Sequence, residues 1–220
     1  MSCVGAVENV LSMVRCDELE AVSATALTGL IERGVTTAVV PFGSVEHHGG
    51  HLPLGADALV ADALGREVAG RLDALLAPTV RVGDSSAHMN LPGTMSVSAE
   101  TLTAVAFELS LSLARTGFKF IALVSAHGGN RAALDAAVLD LSAEGVLACA
   151  PLGDLGPAPG SYSGEWLTSV MLALRPELVN LRAACDELRS EVGAASAERG
   201  RDHAERFVAG CVEAVLALRS

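Results

Sequence analysis

Apolar residues fall in two rhythms along the chain. Short, unbroken runs rich in β-branched residues alternate with longer stretches in which apolar positions recur every three or four residues. TTAVVPF (36–42) and FIALVS (120–125) read as buried strands, with weaker candidates at 77–82 and 145–151. Between and after them, 17–33, 57–75, 99–116 and 129–143 carry helical periodicity. Ser98, with Glu100 close behind, supplies an N-cap for the third of these. Further on, 163–174 and 193–218 read as helices, and the Gly/Pro/Ser-rich segment 153–163 as a surface or site-covering loop. Alternation of this kind predicts an α/β fold: one domain over residues 1–220, its mostly parallel sheet covered by helices on both faces.

Strand runs apolar throughout bury both faces, and ligands in such folds bind where the strands' carboxyl ends open. Polar clusters follow both of the best strands: GSVEHHGGH (43–51) after the first and SAHGGN (125–130) after the second. They hold four of the six histidines. Glu46 and His48, two residues apart, point to one side of an extended segment. Asp57 follows nine residues later at the start of a helix, and the glycines between allow the chain to fold back. Mixed carboxylate and imidazole donors suit zinc, manganese or iron(II) rather than magnesium or calcium. An aspartate using both oxygens can stand between two ions. Glu46, His48, Asp57 and His127 are therefore the candidate metal ligands.

Composition narrows the partners. A net charge of −11 and only 3% aromatic residues exclude a nucleic-acid surface. No run approaches the roughly 20 apolar residues of a membrane span, and residues 1–18 lack the pattern of a secretory signal. Cys3, Cys16, Cys149, Cys185 and Cys211 are odd in number and form no CxxC pair, as expected of reduced thiols in the cytoplasm. A mean hydropathy of +0.43 suggests apolar surface shared between subunits of a homo-oligomer.

GSVEHHGGHLPLGAD (43–57), HMNLPGT (88–94) and SAHGGN together resemble the creatininase family, in register over roughly residues 41–178. The resemblance implies an α/β metal-dependent amidohydrolase, often hexameric, holding two divalent ions. Glu46, Asp57 and His127 would bind one ion, and His48 and Asp57 the other. A hydroxide between them would attack the C–N amide bond of a small cyclic amide, lactam or related metabolite. His88 would line the pocket and take part in catalysis, with His47 and His51 close behind the ligands.

The chain departs from the family where relatives carry H-A-G-x-x-E-T-S, reading instead YSGEWLTS (162–169). Tyr162 replaces a histidine placed to shuttle a proton to the leaving nitrogen, and Leu167 replaces a glutamate ligand. Glu165 is the substitute, as metal ligand or as general acid, although residues two apart on a helix do not share a face. Trp166 reads as core and His203 as a surface residue. These changes leave two further readings open: a redirected member that closes a ring or cleaves a peptide, as the family's mycofactocin-type peptidases do, and a metal-binding scaffold that has lost catalysis.

Overall fold

The computed structural model describes residues 16–151, 164–186 and 189–220. Four parallel strands form one sheet: β1 (Thr37–Phe42), β2 (Leu75–Leu76), β3 (Phe120–Ser125) and β4 (Leu147–Cys149), in the order β2-β1-β3-β4. Around them lie α1 (Ala24–Glu32), α2 (Ala56–Arg71), α3 (Ala99–Arg115), α4 (Arg131–Ala143), α5 (Glu165–Leu174), the short α6 (Arg189–Gly193) and α7 (Ala197–Arg219). The fold is α/β with helices on both sheet faces. Among the described residues, no helix is long and apolar enough to cross a membrane.

The strands are apolar at every position because both faces are covered. Val39, Ala122 and Val124 pack with α2, α5 and α7, whereas Ala38, Val40, Phe42, Ile121 and Leu123 pack with α1, α3 and α4. Odd and even positions thus serve two separate cores, following the two-residue period of a strand. Three helices begin on serine caps: Ser23, Ser98 and Ser196 accept the N–H groups of Ala26, Thr101 and Arg199. Each such cap contributes about 1 kcal/mol. The cap at Ser23 starts α1 well after residue 17, and the preceding chain instead makes a single bridge at Glu18 to Leu76 and then turns.

One strand is displaced from its expected position. Pairing with β1 occurs at Leu75 and Leu76, not along 77–82, and resumes only at a single bridge between Val80 and Phe42. Pro41 accounts for the break. The carbonyls of Val39 and Pro41 accept from Ala77 and Val80, so that edge of β1 faces this segment, and proline has no N–H to offer it. On the other edge, β1 and β3 pair without interruption from Thr37–Phe120 to Phe42–Ser125.

The order of connections decides where a site can form. From β1 the chain passes through α2 to β2 on one side, then returns through α3 to β3 on the other. The sheet's switch point therefore lies between β1 and β3, at their carboxyl ends. Because Phe42 is paired with Ser125, the two polar clusters leave the sheet side by side.

Candidate metal centre

Glu46 and His48 lie in the loop that leaves β1. The Glu46 N–H donates to the Leu54 carbonyl at 2.9 Å, folding the loop back on itself and returning the chain to the same spot for α2. Asp57, in the first turn of α2, thereby stands beside Glu46. A Cβ at Gly43 would come within 2.4 Å of the Ala58 Cα, so glycine there is what lets the start of α2 press against the end of β1.

The four candidate ligands converge and are all buried, between 1% and 7% exposed. Asp57 Oδ2 is 2.8 Å from His127 Nδ1, 2.8 Å from the Ser44 hydroxyl and 3.7 Å from His48 Nε2. His48 Nδ1 is 3.8 Å from Glu46 Oε1, and His127 Nε2 is 3.7 Å from Glu46 Oε2. One donor atom each from Glu46, Asp57 and His127 fit within 4.8 Å of one another. Ligands held 2.0–2.2 Å from a common ion lie up to about 4.4 Å apart, so small side-chain movements would close this set on one cation.

The electrostatics point the same way. Two carboxylates are buried together, and among the described residues Glu46 Oε2 accepts no hydrogen bond. A buried charged oxygen without a donor is costly, and a divalent cation would compensate it. Burial works to raise the Asp57 carboxyl, but hydrogen bonds from His127 and Ser44 and the neighbouring imidazoles outweigh it and leave it below its ordinary range. Burial likewise opposes a charged His127, yet the hydrogen bond and charge of Asp57, the charge of Glu46 and the Asp84 carbonyl hold its pKa at about 9. Donor set, burial and unsatisfied oxygen together fit a bound divalent metal.

His127 is held from its far side as well. Its Nε2 is 2.9 Å from the Asp84 carbonyl and 3.4 Å from the Ser85 hydroxyl. Asn130, fully buried, accepts the Asp84 N–H at 2.9 Å and donates to the Gly43 carbonyl at 3.1 Å and to Ser125 Oγ at 3.3 Å. It ties the two strand exits and the 83–85 segment into one frame. Sequence reasoning passed over Ser44, Asp84, Ser85 and Asn130; only the place of Asn130 at the end of the HGGN run offered a signal.

The remaining candidates are dispersed. His51 is buried, with Nε2 3.1 Å from Thr168 Oγ1 on α5, and His47 Nδ1 lies 3.4 Å from the Pro92 carbonyl. His88 sits in a short 3-10 turn (Ser86–His88) with its side chain exposed. Tyr162 and the loop 153–163 lie outside the described residues. Glu165 heads α5, and its carboxylate faces Ser169, Arg199 and His203 rather than the Glu46, Asp57 and His127 group. Leu167, at 1% exposed, is part of the apolar core, and Trp166 packs on Phe207. His203 is a correction: it is buried, not at the surface, because α7 turns it toward α5 and Glu165.

The creatininase family profile, described as creatinine amidohydrolase, matches residues 21–215. A mycofactocin precursor peptide peptidase of Mycobacterium ulcerans (strain Agy99) is 39% identical over 151 residues, covering 64% of this chain and 59% of that protein. The chain thus spans about three-fifths of the length of that relative. Creatinine amidohydrolase of Pseudomonas putida is 27% identical over 184 residues, 71% of each chain. A crystal structure of creatinine amidohydrolase superimposes with a TM-score of 0.77 at 23% identity, over 91% of this chain and 97% of the other, a likeness of fold. By the reach of the profile match, the chain belongs to the creatininase family.

Proposed function

We propose that this protein is a metal-dependent amidohydrolase, a single domain over residues 1–220 that cleaves a C–N amide bond. The observation that carries the reading is the convergence of buried Glu46, Asp57 and His127 at the switch point of the sheet. Glu46, Asp57 and His127 would hold one divalent ion, and His48 with Asp57 a second, zinc being favoured by the donors and manganese or iron(II) also suited. Bound there, the metal supplies a water-derived nucleophile at neutral pH and polarises the scissile carbonyl.

The chain's own residues set the geometry. Ser44 and His127 fix the rotamer of Asp57 through its Oδ2. Burial of the four ligands keeps bulk water from competing for the carboxylates. For proton delivery to the leaving nitrogen, His88 and Tyr162 are the remaining candidates, since Glu165 is engaged by Arg199 and His203. A homo-oligomer in the cytoplasm is part of the proposal, supported by exposed Leu139, Met89 and Met95 and by free thiols at Cys16, Cys149 and Cys185.

A small amide or lactam is the first substrate class. A peptide amide is the second, favoured by the 39% identity to a protein named as a peptidase. The test is hydrolysis of a panel of lactams, cyclic ureides and short peptides by protein stripped with chelator and reloaded with zinc or manganese. The reading requires activity that disappears on stripping and returns on reloading; turnover independent of metal would overturn it.

A further inference from the structure

Resting on the metal reading above, we propose that Asn130 is a positioning residue that selects which nitrogen of His127 faces the metal. An imidazole in this pocket can present either ring nitrogen, and the contact made by the other nitrogen decides between them. Here Nε2 lies 2.9 Å from the backbone carbonyl of Asp84. A carbonyl only accepts, so Nε2 keeps its proton on Asp84, whereas Nδ1, which donates to Asp57 Oδ2 at 2.8 Å in the metal-free protein, is the nitrogen that would give up its proton to an ion shared with Asp57.

That assignment is only as firm as the Asp84 peptide, which lies in a connecting segment between β2 and α3. Two side chains hold it: Ser96 Oγ accepts the Ser85 N–H, on the same peptide as that carbonyl, at 2.9 Å, and Asn130 fixes the peptide just before it. Asn130 Oδ1 accepts the Asp84 N–H at 2.9 Å, while its amide nitrogen donates to the Gly43 carbonyl and to Ser125 Oγ, anchoring it to the ends of β1 and β3. Asn130 has no solvent exposure, so water cannot substitute for these bonds from outside. Gly129 completes the arrangement. A Cβ there would fall 2.2 Å from the Asp84 carbonyl oxygen and 2.5 Å from His127 Nε2, directly on the hydrogen bond that sets the ring.

Asn130→Ala and Asn130→Asp separate this role from simple packing, because an aspartate still accepts the Asp84 N–H and an alanine does not. Three quantities are read in 15N-labelled protein: solvent exchange of the His127 Nε2–H without metal, zinc affinity against a competing chelator, and thermal unfolding. Asn130→Ala is expected to exchange the Nε2–H at least about tenfold faster and to bind zinc about 10–100-fold more weakly, with Asn130→Asp retaining slow exchange. A folded Asn130→Ala protein with wild-type exchange and affinity overturns the proposal. So does an Asn130→Asp protein that has lost slow exchange, which decides the matter if the alanine variant does not fold. Wild-type protein that binds no zinc would sink the metal reading alone, since the exchange rates are measured without metal.

Discussion

Glu165 and His203 meet across the α5–α7 interface, carboxylate to Nε2, at 2.9 Å. Arg206 approaches the other ring nitrogen at 2.6 Å, and a guanidinium can only donate, so Nδ1 accepts and Nε2 is the donor to Glu165. Ser169 and Arg199 each donate to the same carboxylate at 2.7 Å. Glu165 is thereby consumed in fastening the first turn of α5 to α7. Leu167, two residues on and about 200° around the helix, is buried in the core instead. The two positions face different surroundings, so Glu165 does not reach the place that a glutamate at 167 would occupy.

This clamp predicts acid sensitivity. Burial raises the Glu165 carboxyl, but the bonds from Arg199, Ser169 and His203 outweigh it and bring the pKa down to about 2. A carboxylate with a folded pKa below its unfolded one contributes stability above about pH 4.5, lost as pH falls toward 2. Urea unfolding of wild type and Glu165→Gln should differ by on the order of 2 kcal/mol at pH 7, the gap closing below pH 4. A gap that stays constant down to pH 3 would show that the charge of Glu165 does not matter.

Metal should stabilise the folded protein. The candidate ligands are gathered only in the native state, so zinc at about 100 times its Kd should add roughly 2.7 kcal/mol to unfolding. Differential scanning calorimetry with and without zinc reads this directly. His127→Ala should abolish the shift; a His127→Ala protein stabilised as much as wild type would remove His127 from the site.

Much of this was legible in the sequence where the signal is local. β1 and β3 were readable because two-sided burial leaves an unbroken apolar run, and the clustering of the candidate ligands because they follow those strands closely. β2 was misplaced because strand propensity at 77–82 is overridden by the missing N–H of Pro41. His203 was misread because one histidine on a charged helix reveals nothing about a carboxylate 38 residues earlier in the chain. Asn130 was missed for a similar reason: its partners at Gly43 and Asp84 are distant in sequence and meet only through the sheet.

Gly129→Ala tests how tightly the second strand exit is built. The new methyl would collide with a backbone carbonyl, which cannot swing aside as a flexible side chain can. The Asp84 segment must move and release His127. The variant should lose about 1–3 kcal/mol of stability and at least tenfold in zinc affinity. Wild-type affinity in isothermal titration would mean that the Asp84 contact is dispensable.

Leu167→Ala should behave in the opposite way. Its side chain lies in the core shared by α2, α5 and α7, so truncation should cost about 2–5 kcal/mol in urea unfolding. Zinc binding should persist in the folded variant, because Leu167 donates nothing to the ion. Loss of binding without loss of stability would give Leu167 a part in shaping the site.

The number of ions should depend on His48 in a way that it does not on Glu46. On the proposed reading, Glu46, Asp57 and His127 would supply three donors to one position, whereas His48 and Asp57 would supply two to the other. Fewer donors hold an ion less firmly, so elemental analysis after dialysis should find one zinc retained and a second only when zinc is in excess. His48→Ala should abolish the second and spare the first. Asp57→Asn should weaken both, because Oδ2 faces His48 and His127 alike and the amide carries one charge fewer. Two ions retained equally through dialysis would require another donor for the second position. Loss of both ions in His48→Ala would instead place His48 with the first.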